Sequence, residues 1–137
     1  MTFNKVMFSS ATDHWSTPKD VYDALDKEFH FDFDPCPLNS KQDNLYKIWE
    51  ANSVFVNPPY SNIKLWAEAC YHNSEVGTTV VMLIPSRTDT RWWHDYVMKA
   101  TEIRFIKGRL KFDDQENPAP FPSCIAVFEA VIREEGI

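Results

Sequence analysis

The chain has 137 residues, of which 44% are apolar and 15% aromatic, and a formal net charge of −6. That length suits one domain with apolar content enough for a core. No secretory h-region and no long apolar run is visible, which excludes a membrane-spanning protein and predicts a soluble, cytoplasmic one. The acidic balance excludes a passive coat on nucleic acid. Cys36, Cys70 and Cys124 form no CxxC, and His14, His30, His72 and His94 are not at metal-ligand spacing, so reduced structural thiols and no metal are expected.

Residues 1–13 show no periodicity and are expected to be a flexible lead-in, leaving one domain over 14–137. Thr17 is a natural N-cap, and Pro18 suits the first position of the helix that Val21, Tyr22, Leu25 and Phe29 mark by their spacing. The alternating run 29–34 predicts a short strand that stops at Pro35. Residues 36–52 are irregular. A strand over 53–56 precedes Asn57, and Ile63, Trp66, Ala67 and Cys70 predict a helix over 63–72. The β-branched run 78–84, ended by Pro85, predicts a buried parallel strand. Then follow a helix from 89 or 90 to 99, a strand over 102–106, a mobile acidic and proline-rich loop over 113–122, and a final strand over 123–132. Trp92, Trp93 and Tyr96 read as core. Strands alternating with helices make this an α/β chain with a mostly parallel sheet, and the last two strands form an antiparallel edge hairpin.

Asn57-Pro58-Pro59-Tyr60, directly after the apolar run 54–56, carries the most chemistry. The Asn57 amide oxygen and the Pro58 carbonyl are two acceptors, matched to the two hydrogens of an exocyclic amine. Pro58 and Pro59 stiffen the turn and supply no N–H. Tyr60 offers a flat face for a ring. An adenine drawn out of its stack for methylation would need these contacts. In open α/β sheets such chemistry sits at the carboxyl ends of strands.

Five stretches then carry a family resemblance, in order: Trp15-Ser16-Thr17-Pro18, Phe31-Asp32-Phe33-Asp34-Pro35, Asn57-Pro58-Pro59-Tyr60, Pro85-Ser86-Arg87-Thr88-Asp89-Thr90 and Phe121-Pro122-Ser123. From 14 to 128 the chain resembles the phage-type DNA N6-adenine methyltransferases of the small Dam-like class. The resemblance implies a pared-down, Rossmann-like sheet that uses S-adenosylmethionine to methylate adenine in DNA by direct in-line attack, in the cytoplasm of the phage's host. It assigns catalysis to Asn57, Pro58, Pro59 and Tyr60. Trp15, Thr17, Pro18, Asp34 and Pro35 would hold the cofactor, with the helix start facing its carboxylate and Asp34 its amino group. Asp43 is a guess for the ribose. The Asp34-Pro35 turn has no following glycine, a departure from the larger relatives. Phe121-Pro122-Ser123 receives no role, and His14 and His94 read as structural.

Basic residues gather late, at Arg87, Arg91, Arg104, Lys107, Arg109 and Lys111. Arg87, Arg91, Arg109 and Lys111 are read as contacts to DNA phosphate, the bland alternatives being surface pairing of Arg87 and Arg91 with Asp89 or Asp95 and protection of an edge strand by Arg109 and Lys111. With no separate recognition domain, loops 39–49 and 113–122 would select the sequence, or selection is lax, and a homodimer would enlarge the DNA surface. Two rivals stay open: an amino-methyltransferase acting on RNA or on protein glutamine, and a catalytically decayed binding module.

Overall fold

The structure is a computed structural model describing residues 14–38 and 40–132; the lead-in expected over 1–13 lies outside them. Helix α1 spans Lys19–Phe29. Strand β1 is Ser53–Val56, helix α2 Ile63–Glu75 and strand β2 Thr79–Pro85. Helix α3, Arg91–Asp95, runs into a 3-10 turn at Val97–Lys99, and strands β3 (Glu102–Phe105) and β4 (Ser123–Phe128) complete the fold. No helix among the described residues is long and apolar enough to cross a membrane.

The sheet order is β1-β2-β4-β3. β1 and β2 pair in parallel, while β4 lies antiparallel between β2 and β3. Three strands therefore run one way and β4 runs back. The expected antiparallel pairing of the last two strands is present, but β4 is interior, and of those two strands β3 alone lies at an edge. Two of the three ladders are thus antiparallel, and the sheet is mixed. The reason is burial: all six residues of β4 are buried, whereas β3 is half exposed.

Strand residues alternate between two apolar layers. Val54, Val56, Val80, Met82, Ile84, Ala126 and Phe128 face α2 and α3, against Trp66, Cys70, Trp93 and Val97. Phe55, Val81, Leu83, Ile125 and Val127 face Trp15, which precedes α1, and Leu25 on α1, with Phe112 and Ala119. The period of two that assigns side chains to opposite faces makes this a three-layer fold. The third layer is completed by the long excursion between β3 and β4. Its expected mobile loop is pinned: Phe112 and Ala119 are buried, and Ala119 N–H donates to the Leu110 carbonyl at 2.7 Å.

Three other expectations shift. The strand over 29–34 reduces to one parallel bridge, Phe33 with Val54. The Asp32 carboxylate takes the N–H groups of Asn52 and Ser53, at 3.1 Å each, where a longer ladder would have formed, and these bonds hold its pKa below the usual carboxylate range. The helix expected through 99 breaks after Asp95 into the 3-10 turn. The last strand stops at Phe128, where the Glu129 and Ala130 N–H groups turn to the hydroxyls of Thr101 and Thr79.

Asn73 on α2 holds the irregular segment before β1. Buried to 3% exposure, it accepts from the Trp49 N–H at 2.8 Å and donates to the carbonyls of Lys47 and Ala69. Asn73→Ala strands these groups in the core, so a loss of about 2 kcal/mol is expected. Thermal unfolding reads it as a midpoint several degrees lower; an unchanged midpoint would show that the segment is held otherwise.

Candidate active site

β1 delivers Asn57 at its carboxyl end, where Asn57, Pro58 and Pro59 are all buried. The Asn57 Nδ2 donates one hydrogen to the Trp15 carbonyl at 2.6 Å and the other to Thr17 Oγ1 at 2.9 Å. A primary amide has only these two donors. Its orientation is therefore set, and Oδ1 is left as an acceptor with no partner among the described residues. His14 Nε2 lies 2.7 Å from the Asn57 backbone carbonyl and is the donor there. After Pro59, which is extended, the chain tightens into a 3-10 turn at Tyr60–Asn62, where the Asn62 N–H meets the Pro59 carbonyl at 3.0 Å.

The expected cap of α1 is different in fact. The helix starts at Lys19, its N-cap position is Pro18, and Thr17 caps nothing. The Thr17 hydroxyl serves Asn57 instead. Capping comes from far along the chain: Asp113 Oδ2 accepts from the Lys19 N–H and Asp114 Oδ1 from the Ser16 N–H, both at 3.0 Å. The Lys19 N–H that the sequence offers to a ligand carboxylate is thus already taken by Asp113.

Around Asn57 opens a cavity of about 400 Å³, lined by His14, Trp15, Thr17, Tyr22, Asp34 and Phe55 among others. That size falls within the range of small-molecule sites, roughly 300–1,000 Å³. Three of the five residues expected at a cofactor, Trp15, Thr17 and Asp34, line it; Pro18 and Pro35 are buried beside them in sequence without lining it. The Trp15 Nε1–H is buried with no acceptor among the described residues. Asp34 Oδ1 accepts from the Cys36 N–H at 2.9 Å, the turn-capping bond usual for an aspartate before proline. Asp34 is exposed as a residue, but desolvation of its carboxyl at the cavity wall pushes the group above its ordinary value, against the opposing effects of that N–H and of His14. The Cys36 thiol, also on the wall, is pushed up to about 12 by burial and by Asp34, so it stays protonated. All three cysteines are free and buried. Asp43 is exposed in a 3-10 turn and does not line the cavity.

Tyr60 stands beside this cavity in an aromatic cluster. Its ring meets Trp15 edge-on at 5.3 Å and Phe121 edge-on at 5.3 Å. Because β1, β2 and β3 run one way, Asn57, Arg87 and Lys107 leave the sheet on one rim. Arg87, Arg91, Arg109 and Lys111 are all exposed. Among the described residues no ion pair joins Arg87 or Arg91 to Asp89 or Asp95; the pairs formed are Lys19 with Asp23 and Arg104 with Glu28 and Glu102. His94 bonds the Thr88 carbonyl within its own turn, as a structural residue does. His14 does more than the sequence suggests. Its only sequence signal is its place directly before Trp15-Ser16-Thr17-Pro18. Asp113 gives no local signal, because its partner lies 94 residues away.

Residues 5–128 match the family DNA N-6-adenine-methyltransferase (Dam). A DNA N-6-adenine-methyltransferase of Haemophilus phage HP1 (strain HP1c1) is 31% identical, the match covering 78% of this chain and 70% of the relative. A DNA N-6-adenine-methyltransferase of Escherichia phage T1 is 27% identical over 77% of this chain and 49% of the relative, so the chain spans about half of that protein. No solved structure gives a significant match.

The double donation by Asn57 has a measurable signature. Thr17→Val removes one acceptor from a buried N–H, with an expected cost of about 1–2 kcal/mol, while Thr17→Ser retains it. In nitrogen–proton spectra the Asn57 side-chain amide should broaden or shift in Thr17→Val and stay near its original position in Thr17→Ser. Identical amide signals in both variants would mean that Thr17 does not hold it.

Proposed function

This chain belongs to the DNA N-6-adenine-methyltransferase (Dam) family, and from that membership we infer its activity: it is an adenine-specific DNA methyltransferase, acting on the N6 amine. S-adenosylmethionine, the methyl donor that the family implies, supplies a methyl group activated by its sulfonium charge. The residues present fit such a cofactor. The cavity offers aromatic walls at Tyr22 and Phe55 and carboxylates at Asp34 and Asp113. Trp15, Thr17 and Asp34 line the space, with Pro18 and Pro35 stiffening the segments that carry them.

The observation that carries the reading is the orientation of Asn57. Adenine N6 is a poor nucleophile, because its lone pair is conjugated into the ring. Asn57 Oδ1, turned outward by the bonds to Trp15 and Thr17, accepts one N6 hydrogen, and the Pro58 carbonyl accepts the other. Two fixed acceptors draw the amine toward a tetrahedral shape and stabilise the positive charge that develops on nitrogen. Pro59 keeps the turn rigid, and Tyr60 stacks on the extruded base. Attack is in line, so catalysis is positioning and electrostatics with no covalent enzyme intermediate. Arg87, Arg91, Arg109 and Lys111, exposed and outside the ion pairs described, take the phosphates.

Transfer of labelled methyl from S-adenosylmethionine to unmethylated DNA, followed by nucleoside analysis, tests this. Wild type should yield N6-methyladenine, and Asn57→Ala should lower kcat by about 100-fold to 1,000-fold, as for loss of one oriented catalytic dipole. Label in RNA or protein instead of DNA would overturn the choice of acceptor.

Asp34 adds a pH dependence. To pair with the cofactor's ammonium group its carboxyl must be ionised, and its pKa is raised. Cofactor affinity should therefore fall as pH drops through that raised value, at a higher pH than for an ordinary aspartate. In Asp34→Asn affinity should be weaker at neutral pH and the acid-side fall absent. The melting shift on adding cofactor reads both, and an unchanged acid-side profile in Asp34→Asn would remove Asp34 from this role.

A further inference from the structure

Phe121-Pro122-Ser123 has no role in the chemistry above, yet the structure places Phe121 at a junction. Its ring stacks on Trp15 at 5.6 Å with the planes 20° apart. Tyr60 meets it edge-on at 5.3 Å, the planes 87° apart. The Arg87 guanidinium lies over the same ring, 5.9 Å from its centre, within the usual cation–π reach of about 6 Å. Beside it the Pro122 carbonyl accepts from the Ser86 N–H at 2.9 Å, tying this segment to the residue before Arg87. One ring therefore touches a cavity wall, the ring read as the base platform and a cation read as a phosphate contact.

We propose that Phe121 is a positioning residue for the methyl-transfer reaction, holding the Tyr60 ring and the Arg87 guanidinium in register with Trp15. The inference rests on the function proposed above. Tyr60 follows two prolines and is only partly buried, so its ring needs lateral support to present a fixed face. Edge-to-face contact supplies direction as well as attraction. Arg87 is exposed and has no carboxylate partner among the described residues, so the Phe121 ring is the described group that restricts its sweep. Trp15 depends on Phe121 less, because Phe112 and Tyr60 also abut it at 5.3 Å. Removing the Phe121 ring should therefore disturb DNA engagement and the chemical step more than the cofactor cavity.

The test compares wild type, Phe121→Leu and Phe121→Tyr as full chains, with S-adenosylmethionine and DNA lacking N6-methyladenine. KM for DNA, kcat and the cofactor-induced melting shift are measured together. Phe121→Leu should lose about 10-fold to 100-fold in kcat/KM for DNA, the scale of a misplaced reacting group, with the melting shift unchanged. Phe121→Tyr keeps an aromatic ring and should stay within about 3-fold of wild type, a difference well under 1 kcal/mol. Arg87→Leu should cost less in the Phe121→Leu background than in wild type. The proposal is overturned if Phe121→Leu matches wild type, if Tyr rescues no better than Leu, or if the melting shift falls in step with the rate. Wild type that leaves no N6-methyladenine in DNA would overturn the function reading and this inference with it; wild type that methylates DNA while Phe121→Leu equals it would overturn the inference alone.

Discussion

The architecture of the site depends on the double donation by the Asn57 side chain. An amide is ambiguous by shape: turned over, it would offer hydrogens where it should offer an oxygen. The Trp15 carbonyl and the Thr17 hydroxyl remove that ambiguity. In a buried position the alternative orientation would face a carbonyl with an oxygen and leave the hydrogens without these acceptors, a penalty of about 1–3 kcal/mol for each group stranded. The exposed ion pairs elsewhere, such as Lys19 with Asp23, weigh less, because solvent screens them. The chain of dependence runs further. Thr17 is available because Asp113 caps α1 in its place, and Asp113 is in reach because Phe112 anchors the β3–β4 excursion in the core. The orientation of the Asn57 amide thus rests on packing at residue 112.

The sheet turns this local network into a face. With β4 inserted antiparallel, β1, β2 and β3 all end on one rim, and the residues that follow them collect there: Asn57, Arg87 and Lys107. The net charge of −6 is compatible with binding a polyanion because charge acts locally. Exposed charges separated by more than about 8 Å are largely screened at physiological ionic strength. The acidic side chains of α1, Asp20, Asp23, Asp26 and Glu28, lie on a helix packed over one sheet layer, and several are engaged by Lys19, Arg104 or the helix's own turn.

What could be read from the sequence divides along a physical line. Elements carried by dense local patterns were legible: the spacing of Ile63, Trp66, Ala67 and Cys70 marks α2, the β-branched run marks β2, and the Asn57 turn stands out by its residue types alone. What was hidden depends on distant partners. Thr17 has every local mark of an N-cap, and it loses that role to a carboxylate 94 residues from its helix. The strand over 29–34 alternates well, but Asp32 diverts the backbone groups that a ladder would need. The 113–122 stretch looks like a solvent loop because its acids and prolines outnumber its anchors, Phe112 just before it and Ala119 within it. His14 carries no pattern, since its partner is a backbone carbonyl that any residue could supply.

The same logic explains why the Asp34-Pro35 turn needs no glycine. Glycine is needed where the backbone takes positive φ or where a ligand must approach it closely. Among the described residues the non-glycine positions with positive φ are His30 and Gln42, and neither belongs to the stretch 34–38. Asp34 closes that turn through its own carboxylate on the Cys36 N–H, and Pro35 and Cys36 are buried beneath it. The turn therefore needs no left-handed residue from 34 to 38. A turn built this way presents side chains to the cavity, a carboxylate at Asp34 and apolar surface at Leu38, where a glycine turn would present bare backbone. At this turn the cavity wall is therefore made of side chains, a carboxylate among them, and close backbone approach is not what the turn provides.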